Sequence, residues 1–320
     1  MNPQYTNVVP VQPVVIQTTL IVDDLHDFIQ RELPVREPIL APWLLNQSLA
    51  MIHSWRGTGK THVALGIAYA VASSGKFLSW FVPVPRKVLF IDGEMPGSAM
   101  QDRLSAIIAS SDNEAGPGML RIVTPDIQTG FMPDLSTPTG QAALDDIIEP
   151  DTSLIIIDNL SALCRSGKEN EAESWLPLAT WALRQRAQGR SVLFIHHSGK
   201  DGKQRGTSRR EDMLDVVICL ERPADYLSTD GACFEIHFEK ARHLQGDDVQ
   251  PIEARLSVDE HGKQAWTVRP VEESTFDRVV TLANDGLTQR EIADALGIHK
   301  SNVSRHWRKA GSQGLIKNAH

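Results

Sequence analysis

Apolar residues fall along this chain in short dense runs separated by longer stretches with helical spacing. Between residues 40 and 270 the runs are SLAMIHS (48–54), KVLFIDGE (87–94), LRIVTP (120–125), SLIIIDNL (153–160), SVLFIHHS (191–198) and VVICLER (216–222). Several are apolar throughout instead of alternating, which predicts strands covered on both faces. Strands interleaved with helical stretches predict a mostly parallel sheet flanked by helices, an α/β fold. Later segments change character. CFEIHFEKA (233–241) alternates, and 253–270 reads as two strands around a turn at 260–263, so both are expected to extend the sheet as antiparallel edge strands.

The flanks differ from this centre. Residues 1–38 are rich in Val, Pro and Gln, with one helix-like piece, VDDLHDFIQREL, ahead of Pro34. They are expected to form an arm. Residues 270–274 look like a linker, and a compact helical module follows, so the expected division is 1–38, 39–270 and 271–320.

Composition narrows the classes available. A chain of 320 residues can bury a sizeable core, and no apolar run approaches the roughly 20 residues that span a membrane. The N-terminus lacks the charged start and cleavage site of a signal peptide, so a cytoplasmic location without membrane attachment is expected. Cys164, Cys219 and Cys233 are too few and too far apart for a disulfide framework or a CxxC knuckle. A net charge of −8 argues against uniform nucleic-acid coating.

The strongest local signal is IHSWRGTGKTH, 52–62. It follows a strand and opens a helix, the context in which a phosphate-binding loop works: backbone N–H groups of a glycine-rich turn converge on phosphate oxygens at a helix N-terminus. Ser54 stands where the motif G-x-x-x-x-G-K-[ST] begins with glycine. Gly57 and Gly59 keep the close backbone approach, Lys60 would neutralise the terminal phosphates, and Thr61 would hold Mg2+. Thr58 and His62 complete the expected nucleotide-binding set, and ATP is the expected ligand. Asp158, at the end of an apolar run, is the expected second holder of Mg2+. Asn159 follows it, which disfavours families that place a water-activating carboxylate there. That base is sought in KVLFIDGEMP, where Asp92 and Glu94 are the candidates.

The order of phosphate loop, strand ending in GEMP, strand ending in Asp158 and strand ending in a polar residue resembles RecA-like P-loop ATPases, closest to DnaB-like and plasmid RepA-like hexameric helicases. The resemblance covers about residues 40 to 250, with GEMP and HHSGK its more specific pieces. It implies a RecA-like core, favours Glu94 over Asp92 as the water-activating base, and implies a γ-phosphate sensor at the end of SVLFIHH, assigned to His196 over His197. It also implies that Lys240 and Arg242, in FEKARH, reach the γ-phosphate of a neighbouring subunit, which would require a homo-oligomer, expected as a hexameric ring. Lys200, Lys203, Arg205, Arg209 and Arg210 lie in a glycine-rich basic segment suited to a phosphate backbone. By the resemblance, this loop faces a channel holding single-stranded DNA.

The C-terminal stretch LTQREIADALGIHKSNVSRHWRKA has helix-turn-helix spacing. Thr288 and Glu291 form a capping box, Ile292, Ala293 and Leu296 an apolar face, Gly297 the turn, and Val303 with Trp307 anchors the second helix. Lys300, Ser301, Asn302, Ser304, Arg305 and His306 would face the major groove of duplex DNA, with Arg308 and Lys309 near phosphates. From Gly297 onward there is no acidic residue. The segment GSQGLIKN resembles the start of a wing. The reading that follows is an ATP-dependent DNA motor, a RepA-like hexameric DNA helicase of a plasmid or other mobile replicon. The alternatives are a sequence-specific DNA-binding ATPase that uses ATP as an assembly switch, and a recombinase-like filament.

Overall fold

A computed structural model of the chain describes residues 20–165, 172–198, 211–223 and 226–316. Contacts divide it into two units, residues 1–35 and 36–320. The described part of the first carries α1 (Leu25–Gln30), capped by Asp24 and lacking any buried residue.

In the second unit β1 (Pro38–Leu40) and β2 (Leu44–Leu45) form a small ribbon ahead of β3 (Leu49–Ser54) and α2 (Lys60–Ser73). A second ribbon, β4 (Lys76–Phe77) and β5 (Trp80–Phe81), precedes β6 (Lys87–Asp92), α3 (Gly97–Ser110), β7 (Leu120–Val123) and α4 (Pro138–Asp145). Then come β8 (Thr152–Asp158), α5 (Leu160–Leu163), α6 (Ala172–Ala187), β9 (Ser191–His197) and β10 (Val216–Glu221). The chain continues as β11 (Cys233–Ala241), β12 (Ile252–Val258) and β13 (Gln264–Pro270), and ends in α7 (Val271–Asn284), α8 (Gln289–Leu296) and α9 (Lys300–Ser312).

The main sheet has nine strands in the order β13-β12-β11-β10-β3-β9-β8-β6-β7. From β10 to β7 every pairing is parallel, whereas β10 to β13 pair antiparallel, as their patterning predicts. The parallel strands are apolar throughout because both faces are covered. One face packs on α2 and α3 through Ile52, Phe90, Ile156 and Ile195, and the other on α4, α5 and α6 through Met51, Ile157, Phe194 and Trp181. Helix α2 is apolar on all sides, as befits a buried helix, and a Cβ on Gly66 would meet the Phe77 ring at 2.2 Å.

The stretch expected as a linker is instead a strand running directly into a helix. Pro270 ends β13 and caps α7, and Ser274 is fully buried. Ser274 Oγ donates to Glu253 Oε2 at 2.7 Å, Arg278 pairs with the same carboxylate, and Arg269 bridges Glu253 and Asp277. A periodic run of polar residues does not reveal that its partner is a buried acid on another strand. Burial pushes the Glu253 carboxyl up, yet Ser274, Arg278 and Arg269 hold it below its ordinary range.

Candidate functional site

Six parallel strands present their C-terminal ends along one edge, where α/β sheets bind ligands. The chain leaving β3 turns through Gly57 and Gly59, at φ of +76° and +114°, into the first turn of α2. Only glycine adopts such angles without strain, so both glycines are required by the turn itself. The Lys60 ammonium folds back into this turn and donates to Ser54 O (3.0 Å), Ser54 Oγ (3.1 Å) and Trp55 O (3.0 Å). The serine at the position of the usual first glycine thus supplies a hydroxyl acceptor to the lysine. Burial brings the Lys60 pKa down to about 8, opposed by Asp158 and Glu94. Thr58 Oγ1 donates to Trp55 O at 2.9 Å and stiffens the turn.

Asp158 closes β8 directly beside Asp92 at the end of β6, the two being register partners. Its carboxyl, hydrogen-bonded by Thr61, is pushed up to about 7 by burial, with Asp92 and Glu94 adding to the rise. Oδ2 of Asp158 is buried without a hydrogen-bond partner. A buried carboxylate with an open lone pair beside a threonine hydroxyl fits a hard divalent cation such as Mg2+. The donor set therefore suits the cation that accompanies ATP.

The geometry separates the two acids of KVLFIDGEMP. Asp92 is buried, accepts from Met95 N at 2.9 Å and from Thr124 Oγ1 at 3.4 Å, and burial lifts its carboxyl to about 6. Its oxygens support the loop. The Glu94 side chain is 58% exposed and lies 3.8 Å from His197 Nε2. Strand alternation puts His196, expected to face the nucleotide, on the face of Phe194, toward α5 and α6, and turns His197 toward Glu94.

His62 lies differently from its sequence reading. The His62 ring packs edge-on to Trp266 of β13, with centroids 5.6 Å apart, and lines a small cavity with Tyr69, Phe77 and Gln264. One residue along a helix rotates a side chain by 100°, so Thr61 faces the acids while His62 faces the edge strands. Lys240 donates to the Glu211 carbonyl and Arg242 to Asp212 O at 2.5 Å, both within this chain. Lys200, Lys203, Arg205, Arg209 and Arg210 lie outside the described residues. Sequence reasoning missed Arg222, which follows β10 and donates to Gly57 O at 2.8 Å while lying 4.4 Å over the Tyr226 ring. The terminal arginine of VVICLER was visible, but nothing in its spacing pointed to a loop 165 residues away.

In the C-terminal module Thr288 and Glu291 form the expected reciprocal cap, and Gly297 ends α8 in the left-handed region at φ +63°. Ile292, Ala293, Leu296, Val303 and Ala310 make its core. Lys300, Ser301, Asn302 and Arg305 are exposed on α9 and Ser304 is half-buried. His306 corrects the sequence reading: it is buried against Phe276, and burial lowers its pKa. Arg305 reaches Glu272 at 3.5 Å.

Comparison with known proteins agrees with this picture. The family described as "AAA domain" matches residues 16–203, and that described as "Winged helix-turn-helix DNA-binding" matches residues 281–317. A crystal structure of a KaiC-like protein from the hyperthermophilic archaeon Pyrococcus horikoshii OT3 superposes with a TM-score of 0.50 at 14% identity, covering 72% of this chain and 94% of the other. No curated protein matches the chain. Among the described residues, no helix is long and apolar enough to cross a membrane.

Proposed function

The chain belongs to the AAA domain family, whose match takes in the phosphate loop, β6 and β8, and from that premise we propose that it is a DNA-stimulated ATPase motor, a RepA-like hexameric helicase of a mobile replicon. The observation that carries the reading is the convergence of Lys60, Thr61, Asp158 and Glu94 at one sheet edge of a body that also carries a helix-turn-helix.

Thr61 and Asp158 are the residues that would hold Mg2+, which would supply charge neutralisation at the phosphates. Lys60 would exchange the carbonyls of Ser54 and Trp55 for phosphate oxygens, its ammonium already being held inside the loop at the start of α2. Glu94, exposed and unburdened by backbone contacts like those of Asp92, orients the attacking water and accepts its proton. His197, 3.8 Å from Glu94 and the last residue of β9, would relay the γ-phosphate state into the basic segment 199–210 that follows it in sequence. Lys240 and Arg242, bound to carbonyls just after that segment, would serve a neighbouring subunit's nucleotide in a ring.

The test is ATP hydrolysis measured with no DNA, single-stranded DNA and duplex DNA, alongside particle mass with and without nucleotide. A motor gives turnover stimulated at least about tenfold by single strands, and a ring-sized particle. One observation favours a second reading, an ATP-switched duplex-binding regulator: the module that carries α9 is joined to the sheet through Glu253 without a linker. That protein would hydrolyse slowly and bind one duplex sequence tightly.

A further inference from the structure

Three neighbouring strands carry a histidine, a cysteine and a glutamate that converge at one point. His53 on β3 and Cys219 on β10 are register partners, both buried. On β11 a bulge leaves Glu239 between Phe238 and Lys240, the partners of Ile218 and Val217. Bulges re-aim side chains, and here the carboxylate crosses β10 to bring Oε2 within 2.7 Å of His53 Nε2. The ligand-type atoms of His53, Cys219 and Glu239 all lie within 4.8 Å of one another. His53 alternates with Ile52 and Ser54, so the cluster occupies the sheet face away from α2 and the phosphate loop.

Two simpler accounts fail on these observations. Ser198 Oγ sits 2.8 Å from His53 Nδ1, which completes a Ser-His-Glu chain, but Ser198 is 1% exposed and His53 fully buried, so no substrate reaches a nucleophile there. A lone histidine–glutamate hydrogen bond leaves Cys219 unexplained, with its thiol buried between Glu239 and Glu221, the latter at 3.8 Å. Burial and those two carboxylates push the thiol up to about 12. A cation at this point would reverse the electrostatics.

We propose that His53 Nε2, Cys219 Sγ and a Glu239 carboxylate oxygen bind a divalent transition metal, zinc by their mixed nitrogen, sulfur and oxygen donor set. Ser198 acts as the outer partner that such histidines need: in the metal-free chain Glu239 accepts from Nε2–H and the Ser198 hydroxyl donates to Nδ1, and on metal binding the imidazole takes the Nδ1–H tautomer, donates to Ser198 Oγ and frees Nε2. On binding, the Cys219 thiol releases its proton to solvent, and the Nε2 proton that Glu239 had accepted is also lost while Nδ1 takes one up from solvent. The His53–Glu239 hydrogen bond gives way to two metal bonds, and Glu239 binds as the carboxylate it already is, its carboxyl held low by His53, so that one proton is released in all. Glu239 is 42% exposed at its side chain and provides the way in. The metal would clip β3, β10 and β11 together one residue before Ser54, which holds Lys60.

The test uses the full chain, stripped with a chelator and titrated with Co2+ in the absence of nucleotide. The readout is the near-ultraviolet thiolate-to-cobalt absorption, which the Mg2+ site lacks a thiol to produce. The expected result is saturation at one Co2+ per chain, displacement by Zn2+, loss of the band in Cys219→Ser, retention in Cys164→Ser, and at least about tenfold weaker binding in the half-exposed variant Glu239→Gln. No band in the folded wild-type chain at saturating Co2+, or a band that survives Cys219→Ser, overturns the proposal. Neither result bears on ATP hydrolysis.

Discussion

Lys60 is held back by the loop it serves. Its ammonium uses two carbonyls and the Ser54 hydroxyl, so phosphate must compete with all three. Ser54→Gly removes one acceptor worth about 0.5–1.5 kcal/mol net, and nucleotide is expected to bind roughly two- to tenfold tighter in a titration with a fluorescent ATP analogue. Asp158 sets a pH dependence of stability. Burial raises its carboxyl from the ordinary 3.8 to about 7, so the folded chain binds more protons than the unfolded one across that interval. The stabilisation from the protonated form is complete below the ordinary value and lost as pH rises through about 7. Asp158→Asn is therefore expected to stabilise the nucleotide-free protein by about 1–3 kcal/mol at pH 8 and hardly at pH 4, measured by urea unfolding at both. The glycine turn between β3 and α2 was legible because its backbone geometry is local, whereas the placing of His62 against Trp266 of a distant strand was not. The choice between His196 and His197 was not, because it depends on which sheet face receives which helices.

At the scale of elements, α9 divides its residues by a helical face. Val303, His306 and Ala310 point into the module, and Lys300, Ser301, Asn302 and Arg305 point out. Alanine at Asn302 or Arg305 is expected to cost about 1–3 kcal/mol of specific duplex binding in a mobility-shift series, with ATP binding unchanged. The capping box and Gly297 turn could be read from sequence since they depend on residues three or four apart. His306 could not, because its burial depends on Phe276 in another helix. The same distinction holds in the sheet: unbroken apolar runs announce covered parallel strands, whereas the bulge at Glu239 exists only in pairing with β10.

For the whole molecule, a net charge of −8 coexists with a tail free of acids from Gly297 onward. Duplex affinity is thus expected to reside at one end of the chain and to fall steeply with salt. The oligomer proposal is tested by mixing: Arg242→Ala and Glu94→Gln chains, each inactive alone, are expected to recover part of the ATPase rate together if sites are shared between subunits. Full wild-type turnover by Arg242→Ala alone would end that idea. Contacts such as Arg222 with Gly57 and His53 with Glu239 join residues more than 160 apart, and no local pattern encodes them.

The Glu253 joint bears on how this chain can be dissected. A gene cut after Pro270 looks natural, since helices replace strands there, but it would strip Ser274 and Arg278 from a carboxylate that is 2% exposed. The shortened ATPase is expected to lose about 3–5 kcal/mol, read by chemical denaturation, and to recover much of it with Glu253→Gln. Anyone exchanging the DNA-reading end for another would have to carry α7 with it. Nor does a seam for recombination lie between α7 and α8, because Val279 and Ala283 of α7 share one apolar core with Ile292, Val303 and Ala310, so the end that reads DNA and the sheet that binds nucleotide are inherited together.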